Sequence, residues 1–499
     1  MSVRRNVVAN HVGQAWAALV ALLCLPLYVR YLGIEAFGMI GAFTVLLAAL
    51  SLFDVPLAAS VNREMARYTA GAHTAIGIRS VLRTLEILCL GTAVLVVATV
   101  SASRGYLSHS WFRTSAITAG TVRAALLAMG IVAALRLGEG LYRGALYGLQ
   151  RQVLFSVANA VLSTARFGGA LAVVAFVSPT LEAFFLWQAL TSAVTVIVLG
   201  ALVHHTLPRG GQPARWSSAA FHDLQHFAGG VMGITLVSLG LTQADKIVLS
   251  RLLPLEAFGY YTLAVTVSNA LYKLSEPIMD AVYPRLTELV AARQTSRLAA
   301  LYHDAAQLVS AFVIPAAMVL TTFAGGVLLA WTGDRRLAEE TAPILTVFAT
   351  GVCLNCLMTV PYRLQLAHGW TSLALTGNTI YLVLLLPALL WVTPRYGPLG
   401  AAAIWALLNA AYILINIPLM HRRVLPGELA RYYVQDLLGP AAAAGATVAL
   451  AVLVAPGPAA SRTAWLAFLA ATGAAAFALA VAAAPALRRR VGSALGVAA

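Results

Sequence analysis

Apolar runs of membrane-crossing length follow one another along almost the whole chain, with short polar breaks between them. A helix needs about 20 mostly apolar residues to cross a bilayer. Fourteen stretches meet that measure: residues 10–31, 37–60, 80–102, 122–147, 153–177 and 181–203, then 228–250, 257–284, 303–331, 341–366, 371–393 and 398–420, and finally 437–455 and 463–486. The longest polar break, HHTLPRGGQPARWSSAAFHDLQ at 204–225, falls between the sixth and the seventh. The pattern predicts an all-α polytopic membrane protein in four parts: a six-helix lobe over 1–203, a linker over 204–227, a second lobe over 228–422 and two further helices over 437–487. The opening MSVRRNVVANHVGQAWAALVALLCLPLYV has the basic start of a signal peptide. No small-x-small cleavage site follows its apolar run, so it reads as the first membrane helix.

The two lobes read as copies. LGIEAFGMI at 32–40 and LPLEAFGYY at 253–261 share five of nine residues at an offset of 221. Pro56 and Pro277, like Arg30 and Arg251, keep that offset. Tyr142-Arg143 and Tyr362-Arg363 follow at 220, and Trp187 and Trp405 at 218. So small a drift over four helices marks a duplicated six-helix unit. Six is even, so both copies take one orientation, related by an axis along the membrane normal, and are expected to enclose a cavity. The Glu-Ala-Phe-Gly stretch itself reads as a turn between helices. Its glycine would allow chain reversal or close helix packing.

Composition sharpens the class. The chain is 60% hydrophobic and 10% charged, with a mean hydropathy of +0.83; soluble domains carry about 25% charged residues. The net charge of +15 is almost wholly arginine, Lys246 and Lys273 being the only lysines. The arginines are scattered through loops, which argues for topology signals and against a nucleic-acid surface. An even helix count puts both termini on one side. The loops and tails of that side hold about 20 arginines, including Arg63, Arg67, Arg285, Arg293, Arg422, Arg423 and the Arg488-Arg489-Arg490 tail, against about nine opposite. Both termini and the linker are therefore expected in the cytoplasm. Cys353-Leu-Asn-Cys356 has CxxC spacing, but no second Cys or His pair completes a zinc site. All four cysteines read as buried small residues, and no metal is expected.

Ionisable residues inside a span are costly and usually face protein or a water-filled cavity. Arg136 and Arg166 lie near the midpoints of the fourth and fifth spans. Arg136, Glu139 and Arg143 share a helix face at i, i+3, i+7, and Lys273, Glu276 and Asp280 repeat that spacing in the eighth. Asp245 and Lys246 lie toward the outer end of the seventh, Asp54 just before Pro56, and Arg63 at the inner end of the second. Arg143 stands close enough to the inner surface to snorkel. Pro56 and Pro277 are expected to kink matching helices, and such breaks are where transporter sites form. The bland alternative is a set of internal salt bridges, such as Arg136 with Glu139. As a set, the residues predict a polar, mainly cationic interior suited to an anionic cargo, because guanidinium forks match phosphate oxygens. Arg136, Arg166, Lys273, Lys246 and Arg63 are the candidate diphosphate binders; Asp245, Glu276, Asp280 and Glu139 are candidates for ion coupling or gating.

No GxxxxGK[ST] occurs, so ATP hydrolysis by a Walker A loop is excluded within this chain, and HExxH and GxSxG are absent too. The charged loop GDRRLAEE at 333–340 is small and reads as solvated. The chain is therefore expected to be a transporter and not an enzyme, without a cofactor, driven by a proton or sodium gradient or by the membrane potential.

The run QADKIVLSRLLPLEAFGYYTLAVTVSNALYKLSEPIMDAVYPRLTELVA at 243–291 resembles the polysaccharide-exporter branch of the multidrug/oligosaccharidyl-lipid/polysaccharide (MOP) superfamily, which includes the Wzx-type O-antigen flippases. The first-half counterpart YVRYLGIEAFGMI, followed by Asn62-Arg63-Glu64-Met65-Ala66-Arg67, has the same look. The likeness implies two six-helix lobes around a V-shaped cavity with two extra helices, a MATE/MurJ-like fold. It implies a flippase of the bacterial inner membrane that carries undecaprenyl-diphosphate-linked oligosaccharide, an O-antigen or exopolysaccharide repeat unit, from the cytoplasmic to the periplasmic leaflet by alternating access. Cavity arginines would hold the diphosphate. The lipid bilayer and a polysaccharide polymerase or chain-length machinery would be its partners. A lipid II flippase, a drug antiporter of the same superfamily and a scaffold for glycan assembly are the alternatives.

Overall fold

The apolar runs are helical throughout. The computed structural model describes residues 3–208, 215–457 and 460–488. Residues 209–214 of the linker and Arg489 and Arg490 of the basic tail lie outside the described residues, as do the side chains of Arg4 and Arg5. The helices are α1 (Val3–Leu32), α2 (Ile34–Thr69), α3 (Ala75–Tyr106), α4 (Ala119–Gly148), α5 (Gln152–Phe176), α6 (Leu181–Thr206), α7 (Ser218–Leu252), α8 (Leu255–Ser268), α9 (Tyr272–Ala291) and α10 (Thr295–Thr322). They continue with α11 (Ala324–Thr332), α12 (Arg335–Ala367), α13 (Ser372–Ala411), α14 (Ile417–Val424), α15 (Leu429–Arg431), α16 (Gly439–Leu453) and α17 (Arg462–Ala483). Among the described residues the only β-type pairing is an isolated bridge between Arg113 and Pro254.

Several helices start where the sequence supplies a cap. Thr74, Thr118, Thr180, Asp334 and Ser461 each accept the backbone N–H three residues on, opening α3, α4, α6, α12 and α17. A cap of this kind is worth about 1 kcal/mol.

Eleven described helices are long and apolar enough to cross a membrane, so the chain is a multi-pass membrane protein. One of them, Ser372–Val424, covers two of the predicted spans. Its two halves turn at Gly397, whose φ of 59° only glycine adopts readily, between Pro394 and Pro398. The predicted seventh and eighth spans fall on α7 and on α8 with α9, outside those eleven. The helical ladder runs through Pro56 in α2 and Pro277 in α9. The break in the eighth span comes earlier, at the 3₁₀ segment Asn269–Leu271.

The chain divides into two compact units, Met1–Gly259 and Tyr260–Ala499. The division thus falls after the second Glu-Ala-Phe-Gly stretch and not at the polar linker, because α7 packs along α2 within the first unit. The two stretches are not turns. Each forms the first turn of a helix, and Gly33 and Pro254 precede them. A Cβ on Gly38 would collide with the Leu255 carbonyl, and one on Gly259 with the Ile34 carbonyl. These positions correspond in the repeat, so the contact is reciprocal, as across a two-fold axis. Buried Glu35 also accepts the backbone N–H groups of Ser115 at 2.6 Å and Ala116 at 2.7 Å.

Candidate functional site

The charges that the sequence marks on the fourth and fifth spans meet in the first unit. α4 lies against α2 through Gly140, Gly144 and Gly148, one per helical turn. A Cβ at Gly144 would run into the Ala58 carbonyl, and one at Gly148 into that of Asn62. Small residues at this spacing let helix backbones close up where lipid supplies no hydrophobic drive. Gly140 leaves the space that the Asp54 carboxylate fills. Asp54 Oδ2 there lies 3.4 Å from Arg143 Nη2.

Glu139 joins the other two arginines. Its Oε1 accepts from Arg166 Nη2 at 2.5 Å and lies 3.9 Å from Arg136 Nε. Arg166 also donates to Thr195 Oγ1 at 3.2 Å and Ser192 Oγ at 3.5 Å, both on α6. The two arginines share Glu139 unequally. The Arg166 side chain is 7% exposed and fixed on three sides, whereas that of Arg136 is 29% exposed and holds Glu139 only at long range. The Nε atoms of both, and Asp54 Oδ1, are buried without a hydrogen-bond partner. Three guanidinium groups face two carboxylates, so the cluster carries one surplus positive charge at a depth where a charge costs at least about 2.5–3.5 kcal/mol.

The other predicted residues stand apart from this cluster. Arg63, half exposed, lies at the end of α2 with its Nε 3.8 Å from Glu64 Oε1. On α7, Asp245 is buried, and Lys246 donates to Gln243 Oε1 at 3.2 Å. In the second unit, Lys273 pairs with Glu276 at 3.0 Å on an exposed face of α9, and Asp280 lies 3.8 Å from Arg363. Two cations balance two anions there. The α9 pairs thus carry no cationic surplus, unlike the cluster on α4 and α5.

Sequence reasoning missed Ser192 and Thr195, which nothing distinguishes from other hydroxyls of apolar helices. It also missed the pairing of Asp54 with Arg143, although GEGLYRGALYG at 138–148 carries the small-residue spacing that would have suggested it. A second buried polar group escaped as well: His303 on α10 with Asp436 and Glu428. Among the described residues no group of three or more His, Cys, Asp or Glu side chains is arranged to hold a metal ion.

The chain is similar to known proteins along most of its length. A family model described as polysaccharide biosynthesis protein matches residues 3–290. A Shigella flexneri protein named "Putative O-antigen transporter" is 24% identical over 409 residues, 82% of this chain and 95% of that one. Among solved structures, the lipid II flippase MurJ in an inward closed conformation superposes with a TM-score of 0.73 at 12% identity, covering 98% of this chain and 99% of that one. An inward-facing multidrug resistance MATE transporter of the MOP superfamily gives 0.62 at 12% identity over 83% of this chain and 96% of its own.

Proposed function

The chain belongs to the polysaccharide biosynthesis protein family, and from that premise we propose that it is a flippase for polyprenyl-diphosphate-linked glycan. The cargo would be an O-antigen or exopolysaccharide repeat unit, and it would move from the cytoplasmic to the periplasmic leaflet of a bacterial inner membrane. Both termini would lie in the cytoplasm, and fourteen crossings would fit that placement. A proton or sodium gradient, or the membrane potential acting on the anionic cargo, would supply the energy by alternating access. A polysaccharide polymerase is the natural recipient of the product.

One observation carries this reading: the surplus arginine charge in the cluster of Asp54, Arg136, Glu139, Arg143 and Arg166. A diphosphate would neutralise it. The cluster also divides the work. Arg136 is accessible and weakly held, so it is the candidate phosphate contact. Arg166 is buried and spent on Glu139, Ser192 and Thr195, so its part is to hold Glu139 in place. Bidentate pairing with phosphate needs the planar guanidinium fork, so Arg136→Lys is not a conservative change.

The test is surface-glycan export in cells lacking the native gene. Arg136→Glu is expected to abolish export while the protein still inserts in the membrane at wild-type level, and Arg136→Lys to restore it only in part. Wild-type export by Arg136→Glu would remove the diphosphate role. Drug resistance conferred by the wild-type chain, with no change in surface glycan, would favour an antiporter instead.

A further inference from the structure

The second unit contains a buried titratable group that the glycan reading does not use. His303, Gln307 and Ser310 lie at i, i+4 and i+7 on α10, on one face. That face meets the π-helical segment Tyr432–Leu438, which leads into α16. Single π turns inside helices are frequent at functional positions. Asp436, within this segment, is wholly buried, and His303 is 2% exposed at its side chain. His303 Nδ1 lies 2.5 Å from Asp436 Oδ2, and Nε2 lies 3.0 Å from Glu428 Oε2. Gln307 Nε2 donates to Asp436 Oδ1 at 2.8 Å, and Ser310 Oγ donates to the Asp436 carbonyl at 2.5 Å. On its other side Gln307 Oε1 accepts the backbone N–H of Ala486, just beyond α17. The group therefore ties α10 to both of the final long helices.

Counting hydrogens identifies its ligand. A neutral imidazole has one N–H and one lone pair, and an ionised carboxylate only accepts. Both ring nitrogens of His303 face carboxylate oxygens, so the two contacts need two hydrogens. A neutral histidine between two carboxylates supplies one. Gln307 already donates to Asp436 Oδ1, which makes that oxygen an acceptor and leaves Oδ2 to face His303 Nδ1. The second hydrogen is assigned between His303 Nε2 and Glu428, the one side of the group that reaches water. Glu428 is 31% exposed and connects the group to water.

We propose that His303, Asp436 and Glu428 form a proton-binding site, and that the bound proton holds the start of the segment leading into α16, at Glu428, against α10. On release, the proton leaves Nε2 and passes by way of Glu428 to water. His303 keeps its Nδ1–H bond to Asp436, while the bared Nε2 lone pair repels the Glu428 carboxylate. Docking is complete where the proton is bound, at lower pH, and weakens as pH rises.

Other titratable and charged groups surround His303. Asp304 neighbours it on α10. Tyr302 bonds His421 Nε2 on α14 at 3.1 Å, and His421 Nδ1 holds the Ile417 carbonyl. Arg431 lies 3.6 Å from Glu428. Tyr432 and Tyr433 bond the Leu357 and Ile413 carbonyls. On α9, Arg285 pairs with Glu288, and Arg363 on α12 pairs with Asp280. α16 contains no ionisable side chain, and Arg462 of α17 is bound to the Ala330 and Trp331 carbonyls.

The inference is independent of the cargo, and so is its test. Full-length protein in detergent, without glycan, is unfolded thermally between about pH 5 and about pH 9, a window that spans histidine titration. The wild-type midpoint should fall as pH rises. Glu428→Gln, a change at a partly exposed position, should flatten that slope and remove one proton equivalent per chain from the acid–base titration; His303→Gln should do the same. A Glu428→Gln slope equal to wild type would overturn the proposal. Nitrogen-15 spectra of histidine-labelled wild-type protein decide the matter even if His303→Gln fails to fold. A ring with two N–H groups at the acid end and one at the alkaline end is expected, its signal moved in Glu428→Gln. One N–H on that ring throughout the range overturns it.

Discussion

Arg136, Glu139 and Arg143 on α4 and Lys273, Glu276 and Asp280 on α9 have the same i, i+3, i+7 spacing, and the structure treats them in opposite ways. On α4 the centre of the set is covered by neighbouring helices: Glu139 is 13% exposed and shared by two arginines, while Arg143 at its end is 47% exposed. On α9 the set is open, with Lys273 67% and Glu276 54% exposed, and its pairs run along the helix or to Arg363. A buried ion pair is held by the cost of breaking it, whereas an exposed pair has water as a ready substitute. Equal spacing therefore gives a strut in one unit and an adjustable surface in the other.

The contrast can be broken at its strongest point first. Glu139→Ala leaves Arg166 without its carboxylate among apolar helices. It should cost about 3–5 kcal/mol, the usual range for breaking a buried pair, read as a large fall in the thermal midpoint of the purified protein. A fall no larger than that of an exposed variant would erase the distinction between the units. Gly144→Leu comes next. It places a side chain against the Ala58 carbonyl and forces α4 from α2, which should cost about 1–3 kcal/mol as overpacking does and should separate Asp54 from Arg143. Unchanged stability in Gly144→Leu would mean that the glycine spacing does not hold these helices together. The smallest effect is expected at Lys273→Gln, within about 1 kcal/mol, the value of an exposed pair. A larger loss there would show that α9 is covered in the folded protein.

Much of this was legible in the chain. The apolar runs locate the helices because a bilayer demands about 20 apolar residues per crossing, whatever the neighbours are. The repeat was legible because duplicated segments keep their spacing, and its most conspicuous element proved to mark a reciprocal contact. There the expected turn gave way to two helix starts, since the preceding helices end at Leu32 and Leu252, just before them. The site was legible only in part. Arg136, Glu139 and Arg166 could be picked out by their depth, but their unequal bonding depends on α6, whose Ser192 and Thr195 lie more than twenty residues from Arg166.

The sequence by itself determined the membrane class, the helices and which residues share a helix face, because each follows from local chemistry and a fixed helical period. Only the tertiary structure decided which faces are covered. It set Asp54 beside Arg143, closed Arg166 between α4 and α6, left Lys273 open, and brought His303 within reach of carboxylates more than a hundred residues away. Burial and pairing depend on what distant segments bring alongside, and helical periodicity does not specify that.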